Sequence, residues 1–340
     1  MHRSEITIDL GALRRNVRTL LRVLDGSQLW AVVKANGYGH GAVDVAGAAL
    51  GAGAAALCVA TIPEGLALRA EYATERILVL GPAGSNREIA QARGAGLELV
   101  IADDEIPEGV RVHLKLDTGM GRYGLSELPA PPVDVVGLMT HLATADSDID
   151  FARTQVQRFE AATAEYSHLK RHVANSAAAL RIPEAHFDAA RCGVALYGLS
   201  PFGTDPVEDS LEPVFSWQSS LAAVRQLQPG ESTGYGRAFV AERPTWIGLV
   251  PVGYGDGFRR DLTGTEVRVA GEPRRVVGTV SMESFAVELD RELPVGAPVV
   301  ILGHGVLAEE HARVAGTINY ELVSRIETGP LRARRTVIDA

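Results

Sequence analysis

Lys34 closes a short apolar run in AVVKANGYGHG, Ala31 to Gly41, and a glycine-rich turn carrying Tyr38 follows at once. A strand that delivers an amine beside such a turn suits a lysine that forms a Schiff base next to a bound phosphate. The same spacing equally describes a lysine whose stem packs on apolar surface while its ammonium reaches water. Other chemically capable side chains end or just follow further short apolar runs: Asp117 with Arg122, His141, Ser176 and Arg191.

Those runs are Leu29–Ala35, Ala56–Ile62, Ile77–Gly81, Leu97–Ala102, Val112–Asp117, Val135–His141, His172–Ser176 and Ala190–Val194. Polar or Ala-rich helical spacing separates most of them, which is the texture of βα units around a parallel sheet. Eight such units predict a closed (β/α)8, TIM-like barrel over residues 1–214, whose strands present functional groups at their C-terminal ends. A doubly wound open sheet would want a Gly-rich dinucleotide turn after an early strand, and the sequence has none. Two crossovers, DDEIPEGVR before Val112 and SELPAPP before Val133, are too short for a helix. The fourth and fifth barrel helices are therefore expected to be missing and the outer wall thin there. After about residue 215 the pattern turns to short β-rich segments such as Thr245–Val252, Glu266–Val269, Val276–Ser281 and Val299–Leu302, giving a mostly β domain over 215–340.

At 340 residues the chain suits two cores better than one. A hydrophobic fraction of 46% and a charged fraction of 22% exclude a disordered or fibrous chain. Lys and Arg number 33 against 42 Asp and Glu, and the net charge of −9 gives no general pull toward nucleic acid or anionic membrane. Cys58 and Cys192, the only cysteines, supply neither a disulfide framework nor a Cys-rich zinc site, and no metal is expected. MHRSEITIDL has no apolar stretch of signal-peptide length, and no run of about 18 apolar residues occurs, so the chain reads as soluble and cytoplasmic.

AVVKANGYGHG resembles the pyridoxal-phosphate lysine motif of the alanine racemases. HLKLDTGMGRYG, THLATAD, ANSAA, RCGVALYGL, GYGRAF, GYGDG and INYE resemble further segments of that family, in family order and over essentially the whole chain. The resemblance implies pyridoxal 5'-phosphate carried by Lys34 and interconversion of L-alanine and D-alanine by two bases. One is Lys34 and the other is Tyr235 of GYGRAF, acting from the neighbouring subunit of a homodimer with shared sites. It also implies Arg191 against the pyridine nitrogen, where it keeps its own proton, and Tyr38, Ser176, Tyr320 and the amides of Gly193 and Val194 around the phosphate. Arg122 and the Met282 amide of the other subunit match the groups for the substrate carboxylate. Lys115 matches a lysine that is often carbamylated and then orients the arginine; unmodified, it would repel Arg122 and call for an anion in place of the carbamate. His141 matches a histidine that contacts Arg191, and Tyr254 one that, with Tyr320, narrows the access corridor to small side chains. D-alanine for peptidoglycan is the implied use.

Each residue also has a plain structural description. Tyr235 and Tyr320 suit packed tyrosines, Ser176 a turn cap, His141 a satisfied strand-end histidine, and Arg191 an ion pair with Asp188. SMES, Ser281 to Ser284, stands where many members have Cys-Met-Asp, so Glu283 is expected to add a methylene near the carboxylate site and to open the way to serine. The short crossovers and the abrupt end after INYE also depart from the family pattern. A racemase of serine or another amino acid, a non-catalytic pyridoxal-phosphate-binding protein and a decarboxylase on the same plan are the other readings; Arg191, in place of an acid, speaks against the last.

Overall fold

The computed structural model describes residues 3–82, 84–103 and 105–340. Met1 and His2 of the N-terminal segment, Ala83, and Asp104 of the first short crossover lie outside the described residues. The chain divides into two units: one holds Leu13–Phe202 with Asp209–Glu212, the other Pro213–Ala340 with Gly203–Glu208 and the N-terminal segment through Ala12.

β1 (Glu5–Asp9) and α1 (Leu10–Leu24) precede the barrel. Eight parallel strands then close on themselves in sequence order: β2 (Gln28–Val32), β3 (Ala56–Val59), β4 (Ile77–Val79), β5 (Glu98–Ile101), β6 (Val112–Lys115), β7 (Val135–Met139), β8 (Lys170–His172) and β9 (Ala189–Cys192). β2 pairs with both β3 and β9, and Trp30 stands opposite Ala56 on one side and Arg191 on the other. The strands are short and nearly every residue in them is buried, as expected where helices cover one face and packed side chains fill the other. Trp30 of β2 touches His113 of β6, four strands away around the ring, so both rings occupy the barrel interior.

The covering helices begin where their sequences supply caps. β2 is followed by the short turn α2 (Lys34–Tyr38) and by α3 (Ala42–Gly51), β3 by α4 (Ile62–Arg69) and β4 by α5 (Asn86–Gly94). Thr61 with Glu64 and Ser85 with Glu88 form capping boxes at α4 and α5. β7 leads into α6 (Ile149–Thr163), capped by Asp148, and β8 into α7 (Ser176–Arg181), capped by Asn175. Neither β5 nor β6 is followed by a helix among the described residues, as the two short crossovers predict. Where the helix after β6 is missing, a cavity of about 900 Å³ opens between Ser126–Leu128 and the C-terminal part of α6 at Arg158 and Ala161. The wall is thin there because Leu125 returns at once to bridge Leu116.

The other unit is a nine-stranded sheet. Its strands are β10 (Phe215–Ser220), β11 (Ala223–Leu227), β14 (Thr245–Val250), β15 (Glu266–Val269), β16 (Glu272–Val277), β17 (Phe285–Leu289), β18 (Pro298–Leu302) and β19 (Arg334–Ile338), with β1 between β10 and β19. A separate two-stranded ribbon, β12 (Ser232–Thr233) with β13 (Phe239–Val240), brackets Tyr235. α8 (Ala308–Ala315) and α9 (Asn319–Ser324) are its helices among the described residues. This mostly β unit agrees with the sequence texture, although β16 starts before the expected Val276. Among the described residues, no helix is long and apolar enough to cross a membrane.

Candidate active site

Lys34 leaves the end of β2 half-buried, and burial followed by the charge of Arg122 lowers its pKa. Its amine makes no hydrogen bond or ion pair with a described residue. Ala35, Asn36, Gly37 and Tyr38, which follow it, are all left-handed, with φ of 51, 52, 63 and 53°. A left-handed conformation costs an L-residue roughly 1–2 kcal/mol, so this turn has to be held from outside. Glu64 does part of that: its carboxylate accepts from the amides of Ala35 and Ala60, both at 2.8 Å. The Asn36 side chain accepts from Ala42 N at 3.0 Å, and the Gly37 amide donates to Val33 O at 2.9 Å. Sequence reasoning did not single out Glu64, whose position in a capping box hides its second partner.

The loop DTGMGRYG is folded by its own aspartate. The Asp117 carboxylate accepts from the amides of Gly119, Met120 and Gly121 between 2.8 and 3.2 Å, and Asp117 N donates to Leu125 O. Asp117 is thus a loop brace, and the loop presents Arg122 exposed and with no ion pair among the described residues. Lys115, buried at the end of β6, points its ammonium at the ring of Tyr123, 3.6 Å from the centroid. The aromatic face gives this ammonium a cation–π contact. Burial, then Arg122 and Arg191, bring the Lys115 amine down to about 8.

Arg191, on β9, is fully enclosed. Its Nη1 donates to His172 Nδ1 at 2.8 Å and to His172 O at 2.6 Å, and its Nη2 to Thr140 O at 2.8 Å and Val173 O at 3.2 Å, with His141 Nδ1 at 3.4 Å. The ion pair with Asp188 does not form: that carboxylate accepts from Arg171 N and faces Lys170. Burial lowers Arg191 to about 10, so it stays cationic at neutral pH, and its Nε–H is unused among the described residues. His141 is driven down to about 3 by burial and then by Arg191, Arg122, Lys115 and Lys34, so it is a neutral imidazole among four cations. Burial pushes the Cys58 and Cys192 thiols up to about 12, which leaves both inert.

Ser176 opens α7, and its Oγ accepts from the amides of Gly193 and Ala195 at 3.0 and 3.4 Å. A Cβ on Gly193 would come within 2.5 Å of Tyr38 Oη, so a larger residue there would displace the Tyr38 ring. Val194 starts the buried turn Val194–Tyr197. The Tyr38 ring packs against Tyr197, centroids 4.9 Å apart, and burial raises the Tyr38 phenol. The structure therefore brings together nine of the predicted residues in the barrel unit: Lys34, Tyr38, Lys115, Arg122, His141, Ser176, Arg191, Gly193 and Val194.

The remaining four, Tyr235, Tyr254, Met282 and Tyr320, belong to the β unit. Tyr235 is 72% exposed on a turn whose carbonyl accepts from Thr279 Oγ1 at 3.0 Å. Tyr254 and Met282 are 43% and 51% exposed on abutting loops, with Tyr254 N donating to Ser281 O and Gly255 N to Met282 O. No described residue accepts from the Met282 amide. Tyr254 lines a hollow of about 550 Å³ with Arg259 and Glu321, and Tyr320, half-buried, precedes Glu321 on α9. Arg3 and Arg332 hold the Glu283 carboxylate, beside the buried Asp256 that the same arginines face.

A parallel barrel that gathers four cations, an unpaired lysine of depressed pKa among them, around a neutral histidine, joined in one chain to a β unit, defines a barrel enzyme for an anionic ligand. Comparison with known proteins narrows that class. Residues 8–201 match the family described as alanine racemase, N-terminal domain, and 214–335 its C-terminal domain. Alanine racemases of Lactiplantibacillus plantarum and Symbiobacterium thermophilum are each 39% identical, with 94% of this chain and 94% and 93% of theirs aligned. The biosynthetic alanine racemase of Pseudomonas aeruginosa, a crystal structure, superposes with a TM-score of 0.92 at 36% identity over 99% of both chains. The chain belongs to the alanine racemase family.

Proposed function

We propose that this protein interconverts L-alanine and D-alanine with pyridoxal 5'-phosphate, using Lys34 and Tyr235 as opposed bases at a site shared between two copies of the chain. The observation that carries this is the convergence of Lys34, Lys115, Arg122 and Arg191 on a neutral His141, with both nearby acids, Asp117 and Glu64, bound to backbone amides. Such a site fits a ligand that is anionic at two ends. The donor set also fits the cofactor: an amine without a partner at Lys34, hydroxyls at Tyr38 and Ser176, a glycine that a Cβ would turn into a clash, and the unused Arg191 Nε–H.

Bound there, pyridoxal phosphate would withdraw electrons from an attached amino acid and so acidify its α-C–H. Tyr38, Ser176, Tyr320 and the amides of Gly193 and Val194 hold the phosphate. Arg191 donates to the ring nitrogen without surrendering its proton, which weakens the electron withdrawal and favours return of the proton to carbon over transamination. Arg122 and the amide of Met282 bind the substrate carboxylate, and Lys115, once carbamylated, orients Arg122. Lys34 Nζ takes or gives the proton on one face, helped by its lowered pKa, and Tyr235 Oη of the second copy serves the other face. Tyr254 limits the side chain to a small one. Residues 1–214 form the cofactor-binding domain, and 215–340 add Tyr320 and supply Tyr235 and Met282 to the second copy's site. A cytoplasmic homodimer supplying D-alanine for peptidoglycan is the setting this reading implies.

The experiment is chiral analysis of L-alanine and L-serine incubated with the protein and pyridoxal phosphate. Conversion of alanine well ahead of serine is expected, since Glu283 is held by Arg3 and Arg332. No racemisation of alanine would overturn the reading.

A further inference from the structure

A line of hydrogen bonds runs through the barrel interior from Arg191. Arg191 Nη1 meets His172 Nδ1 at 2.8 Å, His172 Nε2 meets His113 Nδ1 at 2.8 Å, and His113 Nε2 meets Glu98 Oε2 at 3.0 Å. Glu98, His113 and His172 are all 1% exposed or less. The two ends leave one order of protons along this line. A guanidinium only donates, so His172 Nδ1 must be bare and its proton sits on Nε2. That proton goes to His113 Nδ1, which puts the second imidazole's proton on Nε2, where an ionised carboxylate, which only accepts, receives it.

We propose that Glu98 is a positioning residue: by accepting from His113 it fixes both imidazoles as Nε2–H tautomers and thereby holds the Arg191 guanidinium in its working orientation. The packing around the line is built for it. A Cβ on Gly137 would lie 2.1 Å from His113 Nδ1, so only glycine leaves room for that ring. Trp30 packs against both imidazoles, with centroids 5.7 and 4.6 Å away. Arg76 and Arg111 reach Glu98 Oε1 at 3.2 and 3.3 Å and keep the carboxylate ionised. Against the cost of its burial, His113 and these arginines hold Glu98 below the usual carboxylate range, while burial, then Arg191, keeps His172 neutral. Reversal of either imidazole would set an N–H against an N–H, of His113 or of Arg191, in the buried barrel interior.

Histidine side-chain nitrogen chemical shifts of the full chain with pyridoxal phosphate, assigned through His113→Gln and His172→Gln, test this directly. Both rings are expected as neutral Nε2–H tautomers at neutral pH; an Nδ1–H or doubly protonated ring at either position would overturn the proposal. Glu98→Gln keeps the shape but offers His113 either an oxygen or an NH2 group, so the order is no longer enforced. The signals of His172, which Glu98 does not touch, are then expected to move, and kcat for alanine to fall on the order of tenfold with KM little changed. Unmoved His172 signals or an unchanged kcat would refute the positioning role. The kinetic arm rests on the proposed racemase activity, whose own failure would show as an inactive unsubstituted protein whose histidine spectrum still has the expected order.

Discussion

The two units present their candidate groups in opposite ways. In the barrel unit each group is held from below: Lys34 by a left-handed turn tied to Glu64, Arg191 by His172 and main-chain carbonyls, Lys115 by an aromatic face, and burial moves their proton affinities. In the β unit Tyr235, Tyr254 and Met282 stand out from abutting loops, and the bonds that fix them come from their backbones. The barrel unit is a finished electrostatic environment, whereas the β unit exposes large side chains that nothing within it covers. The proposed site, completed by a second copy, would account for both.

Substitutions separate the two roles. Lys34→Ala removes the amine proposed to carry the cofactor, so racemisation should fall by at least about a thousandfold and the visible absorbance of the lysine-bound cofactor should disappear. Retained absorbance would move the attachment point away from the barrel mouth. Arg191→Glu should raise transamination relative to racemisation and destabilise the barrel by roughly 3 kcal/mol, since Thr140 and His172 lose a buried cationic donor. An unchanged product ratio would leave Arg191 a purely structural cation.

Acid should weaken the barrel unit first. His141 has a folded pKa of about 3 against about 6.5 unfolded, so the unfolded chain gains a proton that the folded chain refuses. Stability should therefore fall as pH drops from about 6.5 toward 3, with His113 and His172 acting in the same direction. Thermal unfolding across that range should show a shallower decline for His141→Asn, and an identical decline would mean that His141 is already charged in the folded state. The smallest effect belongs to Tyr123→Leu, which removes the aromatic face under Lys115. About 1 kcal/mol of stability should be lost, with KM for alanine rising more than kcat falls as Arg122 loosens. Full retention of both would make the stacking incidental.

Much of this organisation is legible in the sequence because the barrel is built from local units. Eight apolar runs and two crossovers too short for helices foretell the ring and its thin wall, since each strand sits beside its sequence neighbour. What is illegible is non-local. Nothing in EITID says that Glu5–Asp9 pairs with Phe215–Ser220 and Arg334–Ile338, more than two hundred residues away. The left-handed turn after Lys34 is hidden because Ala35 and Tyr38 are poor candidates for positive φ, and only the tie to Glu64 reveals why they adopt it. Glu98, His113 and His172 read as ordinary strand residues, because whether a polar side chain faces a helix or the barrel interior is settled by closure of the sheet. The Asp188 partner for Arg191 failed because nearness in sequence does not say which cation reaches a carboxylate first.

The central claim is that one site takes its lysine from one copy and its tyrosine from another, and subunit mixing tests it most directly. Lys34→Ala and Tyr235→Phe variants, each nearly inactive alone, are dissociated, combined and reassociated, and alanine racemisation is measured. Hybrid dimers then contain one site with both Lys34 and Tyr235 intact, so activity should return to a sizeable fraction of that of the unsubstituted protein. Mixtures no more active than the variants apart, although hybrids have formed, would contradict the shared site and return both bases to a single chain.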